Sequence, residues 1–284
     1  MNKIFAVIVT FNSNQLELME QYSKLKHQVD KIIYVDNASK EFPVLPNTDK
    51  NKFKIIYNNC NEGLAKAQNQ GIKYALKQGA SHILLLDDDS IPEINLVENL
   101  IKTESIYKKK GIKIGLIGSR IFDLHKNIFN NSGILFSGIK IKRLNIEDHP
   151  ESVSYCIASG SLIPSSVLKD VGLMNENLFI DAVDVEWCLR AKWFGYQIIQ
   201  ANNAIIKHKL GNGNKDKILS HSPLREYYII RNNIFLSRQS YIPYGYRIRK
   251  KILILFRILN SLSKFNIKYI NKSIKGLIDG FKMK

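Results

Sequence analysis

Asp87, Asp88 and Asp89 stand in a row directly after the apolar run Ile83-Leu-Leu-Leu86. Adjacent carboxylates repel one another unless a cation or a set of donors offsets their charge, so a divalent metal is the natural guest. Hard oxygen ligands select Mg²⁺ or Mn²⁺, ions that usually share their coordination sphere with the phosphates of a substrate. The same residues also read as a solvated turn, because Asp89-Ser-Ile-Pro-Glu93 is a good helix start. Further acids gather in Phe179-Ile-Asp-Ala-Val-Asp-Val-Glu-Trp-Cys-Leu-Arg190. If a helix begins near Asp184, that carboxylate is either a cap or a first-turn group free to accept a proton. His208 ends the strand-like Ala204-Ile-Ile-Lys-His208. A neutral imidazole there suits Mn²⁺ better than Mg²⁺, and a lone histidine is as readily structural.

These groups need a scaffold that brings distant segments together. Ile83–Leu86 reads as a strand buried on both faces, and Ile4–Thr10 and Lys31–Asn37 have the same character. A further strand is expected over Phe53–Tyr57, and Asn61–Gly71 opens a helix that runs to about Gln78. Alternation of strand and helix predicts a parallel sheet in an α/β domain. Each strand stops at a polar cluster: Thr10-Phe-Asn-Ser13, Asp36-Asn37 and Asp87-Asp-Asp89. In such sheets ligands bind outside the carboxyl ends of the strands, so the clusters converge on one edge. Taken singly, Asn12 and Asn37 also read as caps, and Gly63 as an ordinary turn.

The ordered set Val9-Thr-Phe-Asn12, Val35-Asp-Asn-Ala-Ser39, Asn61-Glu-Gly63, Leu86-Asp-Asp-Asp89 and Phe179–Arg190 resembles the family 2 inverting glycosyltransferases of the GT-A fold. It is most similar to the bacterial rhamnosyltransferases that build surface polysaccharides, over about residues 3–235. The resemblance implies a Rossmann-like, mostly parallel sheet flanked by helices and a nucleoside-diphosphate sugar as donor. It further implies that Asp36 accepts a hydrogen bond from the pyrimidine base, with Thr10 and Asn12 shaping the pocket. Asn61 and Gly63 would lie over the nucleotide. Asp87 and Asp88 would face the sugar nucleotide, with Asp87 on the ribose side, while Asp89 and His208 would hold Mg²⁺ or Mn²⁺. Displacement at an anomeric carbon needs a base for the incoming hydroxyl. Aligning on Cys188-Leu-Arg190 puts that base at Asp184. Val183 stands where the family often has a preceding acid, which leaves a share of the work open to Asp181.

For the acceptor, the resemblance points to the small-residue run Ala158-Ser-Gly-Ser161, with Gly160 as the close-contact point. Trp187 is either an apolar platform for a sugar ring or core packing. Pro223–Asn233 also resembles a stretch of these transferases. Arg225 and Arg231, six apart, do not share a helix face closely, so at most one is expected to reach a diphosphate.

Charge is uneven along the chain. Residues 238–284 carry twelve Lys and Arg against one acid, Asp279, and so hold eleven of the seventeen net positive charges. We therefore divide the chain into a catalytic part, 1–237, and a basic helical tail, 238–284. Ile252, Leu255, Phe256, Leu259, Leu262 and Phe265 follow helical spacing, flanked by Arg247, Arg249, Lys250, Lys251, Arg257 and Lys264. Such a helix is expected on an anionic membrane surface, and the alternative is packing on the domain or on a second subunit of a homo-oligomer. No run of about 18 apolar residues offers a membrane span. Three cysteines without a CxxC imply neither a disulfide framework nor zinc, and the apolar start ends at Phe11 with no cleavage signature. The expected place is cytoplasmic, peripheral on the inner face of the cell membrane, with a lipid-linked glycan as acceptor. Two other classes fit less well. A nucleotidyltransferase lacks a use for Asp184, and a nucleic-acid-binding protein lacks stacking aromatics interleaved with its cations.

Overall fold

The computed structural model of the chain describes residues 2–45, 51–130, 134–143, 151–208, 222–263 and 267–283. Its elements run β1 (Ile4–Thr10), α1 (Gln15–Leu25), β2 (Lys31–Asp36), β3 (Phe53–Tyr57), α2 (Leu64–Lys77), β4 (His82–Asp87), β5 (Ser90–Pro92) and α3 (Leu96–Lys109). Then come β6 (Ile114–Asp123), β7 (Ile128–Asn130), β8 (Ile134–Ser137), β9 (Lys140–Arg143), β10 (Glu151–Val153), β11 (Ser161–Pro164), α4 (Ser165–Val171) and α5 (Val183–Trp193). The chain closes with β12 (Gln197–His208), α6 (Pro223–Arg238), α7 (Tyr244–Ser263) and α8 (Ile267–Lys282).

The main sheet has the order β10-β12-β6-β11-β4-β1-β2-β3. The four expected strands β3, β2, β1 and β4 are parallel, while β11 runs antiparallel between β4 and β6. Period-two alternation sorts the apolar side chains of each strand between two cores. Val7, Val35 and Leu85 pack under α2, α4 and α5, whereas Ile8, Leu84 and Leu86 pack against α1 and α3. Register then delivers the polar ends together. Thr10 pairs with Asp36, Val9 with Asp87, and His208 with Ser90.

The tail folds as two helices against α6. Ser273 of α8 is buried, and a Cβ on Gly276 or Gly280 would lie 2.7 Å from the carbonyl oxygens of Tyr227 and Arg231, so α8 meets α6 at glycine distance. Ile254 of α7 packs on Ile230 and Ile234 of α6, and Arg257 ion-pairs Glu226, which has no solvent-exposed surface. The stripe Ile252, Leu255, Phe256, Leu259 and Leu262 falls on the other face of α7, between 46% and 68% exposed. Its expected continuation, Lys264 and Phe265, lies outside the described residues. No described helix is long and apolar enough to cross a membrane.

Removing one member of a buried ion pair leaves the other charge uncompensated, at a cost of about 3–5 kcal/mol. Arg257→Ala should therefore lower unfolding stability by about that amount in urea titrations, and Arg257→Met with Glu226→Gln should recover most of the loss. Equal stability of Arg257→Ala and the natural chain would show that the pair does not fasten the tail.

Candidate active site

The carboxyl edge of the sheet carries a cleft of about 430 Å³. Asp87, Asp88 and Asp89 form its base, Asn37, Asn61 and Gly63 one wall, and Phe179, His208 and Arg225 the other. The acidic triplet is held by donors from both sides. The amide of Gln21 in α1 donates to the Asp87 carbonyl at 2.8 Å, the Asp87 N–H donates to Ser159 Oγ at 3.1 Å, and Ser13 donates to the Asp88 carboxylate. His208 Nδ1 sits 3.1 Å from Asp89 Oδ1 and 3.0 Å from Ser90 Oγ. Ligand atoms of Asp87, Asp89 and His208 all lie within 4.8 Å of one another, so Asp87 joins the two residues expected to hold a metal. Two carboxylates and an imidazole fit a divalent ion of the Mg²⁺ or Mn²⁺ kind.

The residues expected on the nucleotide side form one hydrogen-bonded framework. Asp36, buried, accepts from Thr10 Oγ1 at 3.1 Å and from Ser39 Oγ at 2.5 Å, and Asn12 accepts from the Lys40 N–H. Asn37, left open above as a cap, is the hub: its amide donates to Asn61 Oδ1 at 2.9 Å and its Oδ1 accepts the Glu62 N–H at 2.9 Å. Asn61 Oδ1 in turn accepts the Gly63 N–H at 3.0 Å. Gly63 has φ +83°, and a Cβ there would lie 2.5 Å from the Phe179 ring. Only glycine fits both the backbone and the space. Gly63 and Leu64 bring the N-terminus of α2, with no acid in its first turn, to the cleft wall, where helix N–H groups favour an anion.

An adjoining cleft of about 330 Å³ shares Leu64, Asp87, Ile180, His208 and Arg225 with the first and adds Ala158, Asp181 and Asp184. Asp184 is in the first turn of α5. The loop before it is strained, with Phe179, Asp181 and Ala182 all at φ between 62° and 65°. α6 holds that loop. The Asn232 amide lies 2.6–2.9 Å from the carbonyl oxygens of Leu178, Ile180 and Asp181, Tyr228 stacks on Phe179 with ring centroids 4.8 Å apart, and Arg231 donates to Asn177 and Leu178. Arg225 instead pairs with Asp181 at 3.0 Å on the cleft, so of the two arginines only Arg225 lines it.

Two expected acceptor residues do not face either cleft. Gly160 is buried, and a Cβ on it would lie 2.0 Å from Ser119 Oγ, so its glycine is required by packing beneath the sheet edge. Trp187 is 1% exposed and donates its indole N–H to the Gly172 carbonyl at 2.8 Å, which makes it core. Both are near in sequence to residues that do line the second cleft, Ala158 and Asp184, but Gly160 packs on Ser119 and Trp187 packs into the core from α5.

Charge in the site is tightly linked. Burial pushes the Asp87 carboxyl up to about 7, with Asp89, Asp88 and Asp184 adding to the rise and His208 opposing it. Burial also raises Asp88, against the hydrogen bond from Ser13. Burial alone would lower His208, but Asp89 and Asp87 outweigh it and hold the imidazolium above the ordinary histidine range. Asp184 is raised mainly by burial.

Residues 5–172 match the sequence model described as Glycosyl transferase family 2. The chain belongs to this family. It is 32% identical over 290 residues to the dTDP-rhamnosyl transferase RfbF of Shigella flexneri, covering 99% of this chain and 96% of that one. The low-salt glycan biosynthesis hexosyltransferase Agl10 of Haloferax volcanii is 24% identical, over 96% of this chain and 89% of that one. Among solved structures, GalNAc-T7 with UDP, GalNAc and Mn²⁺ superimposes with a TM-score of 0.63 at 13% identity, across 99% of this chain and 56% of that one. Staphylococcus aureus TarS 1-349 in complex with UDP-GlcNAc gives 0.59 at 16% identity, across 99% and 81%. The α/β fold and the glycosyltransferase family read from the ordered motifs both stand, and the nucleotidyltransferase and nucleic-acid readings fall away.

Asn232 reaches neither cleft but holds the loop that leads to Asp184. A small misplacement of reacting groups costs about a hundredfold in rate. Asn232→Ala should lower kcat for glycosyl transfer by about tenfold to a hundredfold, leave the apparent affinity for the sugar nucleotide nearly unchanged, and speed hydrogen exchange across residues 178–183. An unchanged kcat would show that the loop holds its form without α6.

Proposed function

We propose that this protein is an inverting, metal-dependent glycosyltransferase that moves L-rhamnose from dTDP-rhamnose onto a hydroxyl of a surface-polysaccharide precursor glycan. One observation carries the reading: the cleft that holds Asp184 shares Asp87, His208 and Arg225 with the cleft lined by Asn37, Asn61 and Gly63. A carboxylate able to take a proton thus adjoins a pocket suited to a nucleotide. The printed name of the Shigella relative supports dTDP-rhamnose as the donor.

In this mechanism Asp36, braced by Thr10 and Ser39, meets the pyrimidine base, while Asn12, Asn61 and Gly63 shape the nucleotide pocket and Asp88 borders it. Asp87, Asp89 and His208 would hold Mg²⁺ or Mn²⁺, which when bound offsets negative charge on the diphosphate. Arg225 and the N-terminus of α2 face the same charge. Asp184 accepts the proton of the incoming hydroxyl as that oxygen bonds to the anomeric carbon. The bond to the diphosphate oxygen breaks on the opposite face of the sugar, which inverts the centre. Burial suits Asp184 to this work, because a raised pKa makes the carboxylate a better proton acceptor.

Asp184 must be ionised to act, so turnover should fall as pH drops through its raised pKa, giving an acid limb of kcat/KM above the ordinary carboxylate range. Asp184→Asn should cut turnover by about two to four orders of magnitude with donor affinity nearly unchanged. A screen of nucleotide sugars, each with Mn²⁺, with Mg²⁺ and with chelator, tests the donor and the metal together. Full activity in chelator refutes the metal, a better donor than dTDP-rhamnose refutes the sugar, and loss of turnover in Asp181→Asn but not in Asp184→Asn moves the base.

The tail, residues 238–284, belongs to the same proposal. The exposed apolar stripe of α7 and the net charge of +11 suit the anionic inner face of a membrane, where a lipid-linked acceptor would be presented. Replacing Leu255 and Phe256 with Ser should reduce binding to phosphatidylglycerol vesicles and turnover on a lipid-linked acceptor, while a short water-soluble acceptor is turned over as before. A variant that binds vesicles as the natural chain does would refute the docking. A natural chain that dimerises through this stripe and ignores vesicles would assign it to a second subunit.

A further inference from the structure

A third cavity, of about 510 Å³, lies at the other end of α5 from Asp184 and takes no part in the chemistry above. Its walls come from three places: Phe136 and Gly138 of the β8–β9 hairpin, Lys192 and Trp193 at the end of α5, and the segment from Ser240 to Arg247 that leads into α7. The walls are clamped together. Phe136 packs on Tyr246 with ring centroids 4.4 Å apart, and a Cβ on Gly245 would lie 2.1 Å from the Gly138 carbonyl oxygen. Such close backbone approach makes the cavity a preformed feature of the fold.

Its lining has one sign of charge. Among the described residues, Lys192 and Arg247 border it with no carboxylate, and Lys192 donates to the Val153 carbonyl at 3.1 Å. Burial holds the Lys192 ammonium below the ordinary lysine range. The Nε of Arg247 is buried and has no hydrogen-bond partner among the described residues, and its guanidinium lies 5.6 Å from the Tyr244 ring centre. Two cations on one cavity, with no carboxylate among the described lining residues to pair them, suit an anionic ligand. Beside these cations stand two large rings open to solvent, Trp193 at 66% and Tyr244 at 70% exposure. A planar guanidinium fits a carboxylate or phosphate in two-point fashion, and exposed aromatic faces cover the apolar face of a ring.

We propose that this cavity is a second binding site, for a sugar that bears an anionic group: Arg247 and Lys192 hold the anion while Trp193 and Tyr244 cover the ring. The anion can be a phosphate or a carboxylate on the sugar. Lys192 and Trp193 lie eight and nine residues after Asp184 on one helix, about 12–14 Å along its axis. A glycan long enough to bridge that span would reach Asp184 from here, an extension that rests on the function proposed above, whereas the binding site itself does not.

Trp193 supplies its own reporter, because the second tryptophan, Trp187, is locked in the core. Intact protein is titrated with glucose 1-phosphate, glucuronate, glucose and inorganic phosphate while tryptophan fluorescence is followed, with calorimetry in parallel. We expect a saturable change with one or both anionic sugars, and which one responds identifies the anion. Arg247→Gln should weaken it by about tenfold or more, Arg247→Lys by less, and Asp89→Ala not at all. Circular dichroism confirms that each variant is folded, and the lysine variant keeps the test valid if the glutamine variant is not. No saturable binding, glucose binding as tightly as its phosphate, inorganic phosphate binding as tightly as either sugar, or indifference to both Arg247 variants would each overturn the proposal. So would a blue shift of Trp193 on anionic vesicles with no response to any sugar, which would assign the surface to lipid.

Discussion

Everything at the sheet edge depends on placing three carboxylates at the end of a strand that is buried on both faces. Charge there is disfavoured by burial and by mutual repulsion, and Asp87 is pushed up to about 7 as a result. The fold tolerates this because hydrogen bonds reach the triplet from several elements: Gln21 of α1 donates to the Asp87 carbonyl, Ser13 after β1 donates to Asp88, Ser159 ahead of β11 accepts the Asp87 N–H, and His208 of β12 pairs with Asp89. Ser13 and His208 touch carboxylate oxygens and orient Asp88 and Asp89, while Gln21 and Ser159 hold the Asp87 backbone. A partly buried, incompletely neutralised acidic cluster is a poor structural element and suits a cation, and this one sits where the ends of β1, β2, β4 and β12 meet.

The second constraint is the loop from Phe179 to Ala182. Three residues in left-handed backbone without being glycine represent stored strain, of the order of 1–3 kcal/mol each. They hold because α6 over-determines the loop through the Asn232 amide, the Arg231 guanidinium and the stack of Tyr228 on Phe179. Phe179 in turn presses on Gly63, so the cleft wall at Gly63 and the loop before Asp184 are packed against one another. The basic helices α7 and α8 pack on this same α6. Events at the tail therefore have a short mechanical route to the loop before Asp184, by way of one helix.

Opposite charges are used differently in two places. Around Asp87 the excess is negative and converges with a histidine, and around Arg247 the excess is positive and converges with aromatic rings. Both arrangements gather half-buried charges of one dominant sign among the described residues. A structural charge pair looks different: Arg190 bonds both carboxylate oxygens of Glu186 inside the protein.

What the sequence determined by itself is the sheet and its edge. Unbroken apolar runs that end in Thr10, Asp36 and Asp87 can only be buried parallel strands with polar carboxyl ends, and parallel registration brings those ends together whatever the loops do. The exposed apolar stripe of α7 was legible for the same reason, since helical spacing and flanking cations are local properties. Which residues near a cleft face it was not legible. Gly160 and Trp187 are neighbours of cleft residues in sequence, yet Gly160 turns beneath Ser119 and Trp187 turns into the core. The inclusion of Asp87 beside Asp89 and His208, the grip of Asn232 on the loop, and the meeting of Lys192 with Arg247 all join residues far apart in the chain. No local period encodes those contacts, because they arise from helix packing against the finished sheet, and only the tertiary structure decided them.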